Sequence, residues 1–329
     1  MADEKAVAES GFWTTLMLRL TASPQATAKF ITTLSDQLAL WAEPYHIRRK
    51  GEAEADVLVA QARSEAKIAV IEVQNKLAIR DIRDRAAERR RRHDEARQQN
   101  LEAIAAQAAE KLSDDVSDDP VDPDWLTQFF NHSQDVSNQE MQSVWGRILA
   151  GEIARPGSFS LRTLNVVRML TKYDAALFSH FCSIIWRNVD QWCPILPSSK
   201  FPLPFPDVRL SFGQIMNLEV LGLVMHRDEV SPFVLNFPRP ALRLDYFGKP
   251  HFLRHRTVEP PQSEWKLPVG EVFLTDVGHQ LVPIAGGEPN EQYRVATIDY
   301  LRTLGWDPVD ASPSPNDAPS PDTTANPGD

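Results

Sequence analysis

The sequence predicts a mainly α protein, with a long alanine-rich helical stalk, a compact helical core, a small winged-helix-like α+β C-terminal unit and a disordered tail. Three observations carry that expectation. Small and apolar residues recur at spacings of 4, 4 and 3 along residues 47–77. Apolar residues three or four apart fill residues 122–193, as in helices that bury one face. From residue 194 onward, prolines separate short strand-like runs. The implied organisation is an amphipathic helical segment over 1–43, the stalk over 44–112 and an acidic linker over 113–121. The helical core over 122–193, the winged unit over 194–308 and the tail over 309–329 complete it.

Composition narrows the setting. The 329 residues, 42% hydrophobic and 24% charged, suffice for one or two cores with extensions. Lys and Arg number 35 against 45 Asp and Glu, and the net charge of −10 excludes a surface built throughout to coat nucleic acid. A local basic patch is still compatible with it. Cys182 and Cys193 cannot make a disulfide framework, and they sit beside Phe181 and Trp192 as buried thiols would. No run approaches the roughly 18 apolar residues of a spanning helix, and no leader-like pattern opens the sequence, so a cytoplasmic setting is expected.

Phe12, Leu16 and Leu20, then Phe30, Leu34, Leu38 and Trp41, read as two short amphipathic helices interrupted at Pro24. Phe12 and Trp13 beside Arg19 could sit at a lipid surface, giving peripheral membrane contact, although packing on another helix is the simpler reading. Beyond Pro44 comes the eleven-residue repeat, with Leu58, Ala62, Ala66, Ala69, Val73 and Leu77 forming one stripe. A period of about 3.67 residues keeps that stripe nearly straight and favours a right-handed supercoil. Its small residues allow close approach, so the stripe reads as a self-association seam and the protein as a homo-oligomer. Ile79, Ile82 and Ala86 continue the helix on a shifted face.

Residues 80–97 hold eight arginines against five acids, and Arg89, Arg90, Arg91 and Arg92 form the most basic point of the chain. These four are the candidate phosphate contacts, to nucleic acid or anionic lipid. The favoured alternative is a solvated face balanced at i,i+4, as for Arg80 with Asp84 and Arg91 with Glu95. Leu101, Ile104, Ala105, Ala108 and Leu112 restore an apolar stripe before the acidic stretch at 113–119 ends the region.

In the core, Pro123 opens a helix carrying Trp125, Phe129 and Phe130. A second helix is capped at Ser137 with Glu140 three residues on, a third runs from about Ser160 to Leu170, and a fourth is expected over 176–192. Prolines 194, 197, 202, 204 and 206 impose an extended crossing. Ser211 then caps a helix ended by Gly222, strand-like runs follow over 223–225, 232–258 and 271–274, and Thr275 caps another helix. The last helix, Tyr293 to Leu304, stops at Gly305. Five prolines, four aspartates and no Lys or Arg mark the tail over 309–329.

The pieces at 218–224 and 274–281 resemble the second half of a winged helix, with nearly fifty residues between them in place of a short wing. The helix that would enter a DNA groove offers only Gln214 and Asn217 and carries Glu219, so base reading by it is disfavoured. No glycine-rich phosphate loop, nucleophile elbow or His-Glu-x-x-His motif is present, and no cofactor is expected. Glu72 to Lys76 superficially resembles a nuclease motif but lies inside the helical repeat. The densest polar spot is 145–163. Arg147, Arg155 and Arg162 flank a helix start bearing Ser158 and Ser160, a candidate anion or partner site, with Glu152 as internal competitor. A structural ion pair of Glu152 with these arginines is the favoured alternative.

This block resembles an uncharacterised bacterial family, domain of unknown function 2806. The shared features are Pro44 with Ile47-Arg48-Arg49, Gln99-Asn100, Asp124-Trp125 with Phe129-Phe130, and Asp135-Val136-Ser137 with Met141-Gln142. They continue through Trp145, Ile148 to Glu152, Pro156 to Ser160 and Arg162-Thr163, then Tyr246-Phe247-Gly248 and Leu274-Thr275 with Gly278. The family has no assigned activity, so the resemblance implies architecture and a bacterial cytosolic setting but no reaction. A weaker similarity to alpha-type abortive-infection proteins implies a setting in phage defence. Taken together, the residues point to a non-enzymatic, self-associating interaction or scaffold protein. A nucleic-acid-associated regulator using Arg89 to Arg92 and the winged unit is the alternative, and a peripheral membrane protein the next.

Overall fold

The computed structural model describes residue 16 and residues 19–42, 66–189, 191–197, 203, 208–227, 232–257 and 264–309. Phe12, Trp13, Leu58, Ala62 and the tail beyond Val309 lie outside them. The chain divides into two compact units, Met1–Leu164 and Asn165–Asp329. Residues 122–193, read from sequence as one core, therefore contribute to both.

The first unit is helical. Helix α1 spans Pro24–Ala42, α2 Ala66–Lys111, α3 Pro123–Ser133 and α4 Gln139–Ala154, and the division falls inside α5, Leu161–Met169. Pro123 sits in the first turn of α3, where its missing N–H costs nothing, and the Asp122 carboxylate accepts from Asp124 N–H. Helix α4 is capped by Asn138, whose side chain accepts from Met141 N–H; the sequence reading placed this cap one residue earlier, at Ser137. The core forms where the end of α2 meets α4, burying Leu101, Ile104, Ala105 and Ala108 with Trp145, Ile148 and Leu149. Close approach depends on Gly146, since a Cβ there would lie 2.6 Å from Gln107 Cβ and 3.0 Å from Ala108 N. Phe129 stacks on Trp125 at 5.2 Å and meets Trp145 edge-on at 5.3 Å. From α1, Ala26, Phe30 and Leu34 are buried at helical spacing.

Two expectations are corrected in this unit. No stalk over 44–112 is evident among the described residues. Helix α2 is 46 residues long, but its apolar stripe beyond residue 100 is the face buried against α4 and belongs to the core. Nor is the acidic stretch 113–121 a free linker. Ser23 donates to Asp114, Gln25 Nε2 to Asp118 at 2.8 Å, Lys29 Nζ to the Ser117 carbonyl, and Ser117 N–H to the Ala154 carbonyl at 2.8 Å.

The second unit overturns the mainly α prediction, because nine strands in three antiparallel sheets are present among the described residues. Helix α6, Lys172–Phe181, opens on a capping box between Thr171 and Asp174. A single helix over 176–192 is not formed. After α6 the chain makes a 3₁₀ turn, Cys182–Ile184, and then a hairpin of β1, Ile185–Asn188, and β2, Gln191–Pro194. β-branched and aromatic residues at 184–186, 189 and 192 favour the pleated form over the helix. Helix α7, Phe212–Val220, is followed by β3, Val224–His226, β4, Phe233–Phe237, β5, Ala241–Tyr246, and β6, Lys249–His255. Then come β7, Trp265–Gly270, β8, Val272–Leu274, α8, Asp276–Leu281, α9, Glu291–Thr303, and β9, Trp306–Pro308.

The largest sheet has the order β2-β1-β5-β6-β9, while β3 pairs with β8 and β4 with β7. Pairing of β3 with β8 brings together the two segments that resembled a winged helix, but the residues between them build the β4-β7 sheet and give β5 and β6 to the large one. The small winged unit expected from sequence is thus a larger α+β unit. Its core is an aromatic knot: Trp186 Nε1 donates to the Tyr293 hydroxyl at 3.0 Å, and Tyr293 donates toward the carbonyls of Ile184 and Ile195 at 2.8 and 2.7 Å. Tyr246 packs 4.7 Å from Trp186 and bonds the Ser183 carbonyl at 2.7 Å. Both cysteines are buried and free, with burial pushing the Cys182 thiol up and the Cys193 thiol up to about 12.

Candidate functional site

The signature block at 145–163 folds into a corner between α4 and α5. Glu152, 1% exposed, turns its carboxylate onto the chain that leaves α4, accepting from Gly157 N–H at 2.6 Å and Phe159 N–H at 2.9 Å. Burial raises its pKa, while these amide bonds oppose the rise. Gly157 has φ +85, a left-handed turn open to glycine at little cost. Gly151 lies under Phe159, whose ring would be 2.8 Å from an added Cβ. Phe159 is buried, and its carbonyl accepts from Trp125 Nε1 at 2.7 Å.

The three arginines do not converge here. Arg147 donates to the Ser143 carbonyl at 3.3 Å, and its burial lowers its pKa. Arg155 lies 3.6 Å from Asp115 on the surface, and Arg162 is exposed on α5. Ser158 donates to the Arg155 carbonyl at 2.6 Å, while Ser160 caps α5 by accepting from Thr163 N–H at 3.2 Å. Among the described residues Glu152 makes no ion pair with Arg147, Arg155 or Arg162. The Gly157 and Phe159 amides are thus taken by the Glu152 carboxylate. Asn100, Asp135 and Gln142 act similarly. Asn100 donates to the Gln134 carbonyl at 2.9 Å, Gln142 to the Val136 carbonyl at 2.9 Å, and Arg97 grips Asp135 at 2.6 and 2.9 Å.

Arg89, Arg90, Arg91 and Arg92 stand on α2, all exposed. Glu88 accepts from Arg91 and Arg92 at 2.8–3.0 Å and is thereby held down to about 2, while Arg91 also reaches Glu95 at 3.1 Å. The seam residues Ala66, Ala69, Val73 and Leu77 fall on the first turns of the same helix. From 78 to 96 its side chains are exposed, apart from the half-exposed Ala86 and Glu88. Ile79 and Ile82 are 49% and 59% exposed.

On α7, both polar side chains make bonds within the unit. Gln214 closes the capping box with Ser211, and Asn217 donates to Asp174 at 3.1 Å. Thr275 donates to the Gly222 carbonyl at 2.6 Å and caps α8 through Gly278 N–H at 3.0 Å. Gly278 is required there, since a Cβ would lie 2.1 Å from the Leu223 carbonyl oxygen.

One feature was invisible to sequence reading. On the large sheet, a cavity of about 470 Å³ is lined by Arg187 and Trp192 from the first hairpin, Arg243 and Asp245 from β5, and the 282–287 segment. Cross-strand register assembles its sheet wall: Arg187 faces Trp192 on one side and Asp245 on the other. Among the described residues no group of three or more His, Cys, Asp or Glu is placed to hold a metal ion, and no helix is long and apolar enough to cross a membrane.

The model of the family described as protein of unknown function (DUF2806) matches residues 84–297, from the exposed part of α2 to the middle of α9. No curated protein and no solved structure matches the chain, so the weaker similarity to abortive-infection proteins is without support. With some two thirds of its length matched, including the Glu152 corner and the large sheet, the chain belongs to the DUF2806 family.

Proposed function

We propose that the chain is a non-enzymatic, self-associating interaction protein whose contact surface is the exposed span of α2 over residues 78–96. The observation that carries this reading is the pair Ile79 and Ile82, 49% and 59% exposed on a helix face left uncovered among the described residues. Most helical stability in proteins comes from packing an apolar face, so burying this strip against a partner would stabilise the span. Ala66, Ala69, Val73 and Leu77, on the same helix, add small and apolar positions at a period suited to close pairing.

Charge favours a second copy as that partner. Arg80, Asp81, Arg83, Asp84 and Arg85 alternate in sign, so an antiparallel copy meets opposite charges. A polyphosphate would instead face Asp84, Glu88, Asp94 and Glu95 alongside the arginines, and Arg91 and Arg92 already bond Glu88. The test is light scattering during size exclusion on the full chain and on Ile79→Glu with Ile82→Glu, with the 260/280 nm absorbance ratio recorded. A nucleic-acid-free multiple of 37.1 kDa that falls to one chain in the variant is expected. A monomeric parent, or a peak carrying nucleic acid that high salt removes, overturns the reading.

A further inference from the structure

The two-stranded sheet of β3 and β8 has one covered face and one open face. Val224, Val272 and Leu274 point inward and are buried. Register sets Met225 opposite Phe273 on the other face, where Met225 is 43% exposed. Phe233, at the start of β4, stacks on Phe273 with ring centres 5.0 Å apart, and His279 of α8 meets Phe273 edge-on at 5.8 Å. All three rings are half-buried. The Arg227 guanidinium lies 4.2 Å from the centre of the Phe233 ring; it is exposed and makes no ion pair among the described residues. Burial lowers the pKa of His279, so its ring is neutral at pH 7, and the exposed Asp276 lies one turn before it. The strip thus runs from a cation at Arg227 over apolar rings to a carboxylate on the α8 side.

The chain that continues past β9 complements this strip. It leaves from Val309, whose N–H donates to the Phe252 carbonyl at 2.9 Å. Residues 310–329, outside the described ones, hold five prolines, four aspartates and no Lys or Arg. Within them Pro319-Ser320-Pro321 is followed directly by Asp322. Proline-rich segments dock on aromatic surfaces as polyproline II, at small entropic cost because proline has already fixed φ.

Reach and spacing agree with such a contact. Trp306 of β9 meets Phe237 edge-on at 5.7 Å, and Phe237 and Phe233 are the two ends of β4, about 13 Å apart at the rise of a strand. Residues 310–318 span about 28 Å as polyproline II, enough to carry Pro319 over the rings. Three further steps, about 9 Å, lead from Pro319 to Asp322. Phe273, Phe233 and Arg227 follow one another at 5.0 and 4.2 Å.

We infer that the open face of β3 and β8 is a docking surface for the chain's own acidic, proline-rich segment, residues 310–329. Pro319 and Pro321 lie on Phe273 and Phe233, and Asp322 pairs with Arg227. A short tether gives an effective concentration of the order of 1 mM, so a contact with an intrinsic Kd near that value is occupied about half of the time. The docked segment covers Met225 and an apolar face that would otherwise stay open to other chains. The inference does not depend on self-association through α2.

The experiment is electron paramagnetic resonance on the full chain with a nitroxide at Ala318→Cys, since the native Cys182 and Cys193 are buried and do not take the label. A slow-motion component of about half the signal or more is expected. Arg227→Glu and Met225→Asp, both at exposed positions, are expected to reduce it severalfold with unchanged melting temperatures. Asp317→Asn with Asp322→Asn, which leaves the described residues untouched, is expected to do the same. Arg168→Gln, exposed on α5, should leave the spectrum as it is. A spectrum as fast as that of the free labelled peptide 310–329, or a slow component untouched by these variants, overturns the inference. So does a slow component restored when the labelled Arg227→Glu chain is mixed with unlabelled parent chain, which would assign the segment to a neighbouring copy.

Discussion

The backbone N–H of Gly157 donates to the Glu152 carboxylate at 2.6 Å, closing a loop over residues 152–157 around a buried carboxyl group. Phe159 N–H completes the grip at 2.9 Å. Glu152→Ala leaves both amides without their acceptor, and an unsatisfied buried polar group costs about 1–3 kcal/mol. Glu152→Gln keeps one amide oxygen and turns an NH₂ toward the other donor, so its loss is expected to be smaller. Chemical denaturation should rank the three proteins wild type, Gln, Ala, and reversal of the two variants would refute the corner as described.

Glycine positions give a sharper contrast. Gly278→Ala places a Cβ 2.1 Å from the Leu223 carbonyl oxygen, a backbone clash that side-chain movement cannot relieve. The second unit is expected to lose several kcal/mol or to fail to fold. Gly213, inside α7, has nothing within 4 Å of an added Cβ. Gly213→Ala should therefore raise stability by up to about 1 kcal/mol. Thermal melts of the two variants moving in the same direction would contradict this.

Such contrasts show what was legible in the sequence. Caps at Thr275 and Ser211 and the stop at Gly222 were readable because side chain and backbone partner lie within a few residues. Residues 184–192 were misread, since their apolar spacing fits either period and pairing of β1 with β2 and β5 decides for strand. The same limit hid the cavity. Arg187 and Asp245 are 58 positions apart in the chain and become neighbours through register alone. The Glu152 corner was found as a place, as a candidate anion or partner site with an ion pair of Glu152 as the alternative, but the amide partners of Glu152 were not foreseen. Nothing in the spacing shows that the carboxylate prefers the nearby amides to Arg147 or Arg162.

The knot at Tyr293 should be sensitive to one atom. Tyr293→Phe preserves the ring but removes the hydroxyl that accepts from Trp186 Nε1 and donates toward Ile184 and Ile195. A loss of about 1–3 kcal/mol is expected in denaturant unfolding. A change below about 0.5 kcal/mol, the usual range of surface substitutions, would show that the network carries no weight.

Histidines set an acid limit. Burial lowers the pKa of both His251 and His279 from the ordinary 6.5. The folded state then binds protons more weakly than the unfolded chain, so stability is full above about 6.5 and declines as pH falls below it. His251 Nε2 is buried without a hydrogen-bond partner, and its ring meets Trp186 edge-on at 5.3 Å. His251→Phe keeps an aromatic ring there and cannot take up the proton. The variant's melting temperature is expected to fall less than that of the parent between pH 7.5 and 5, and an identical fall in both would reject His251 as a contributor.

The central claim is that α2 of one copy lies against α2 of another at Ile82. A single Ile82→Cys substitution tests it directly, because the native Cys182 and Cys193 are buried and do not compete. Under mild oxidation at low protein concentration, the full chain is expected to form a disulfide-linked dimer on a non-reducing gel. A cysteine at the exposed Thr127 of α3 should not. No dimer from Ile82→Cys, or equal dimer from Thr127→Cys, would contradict assembly through this helix.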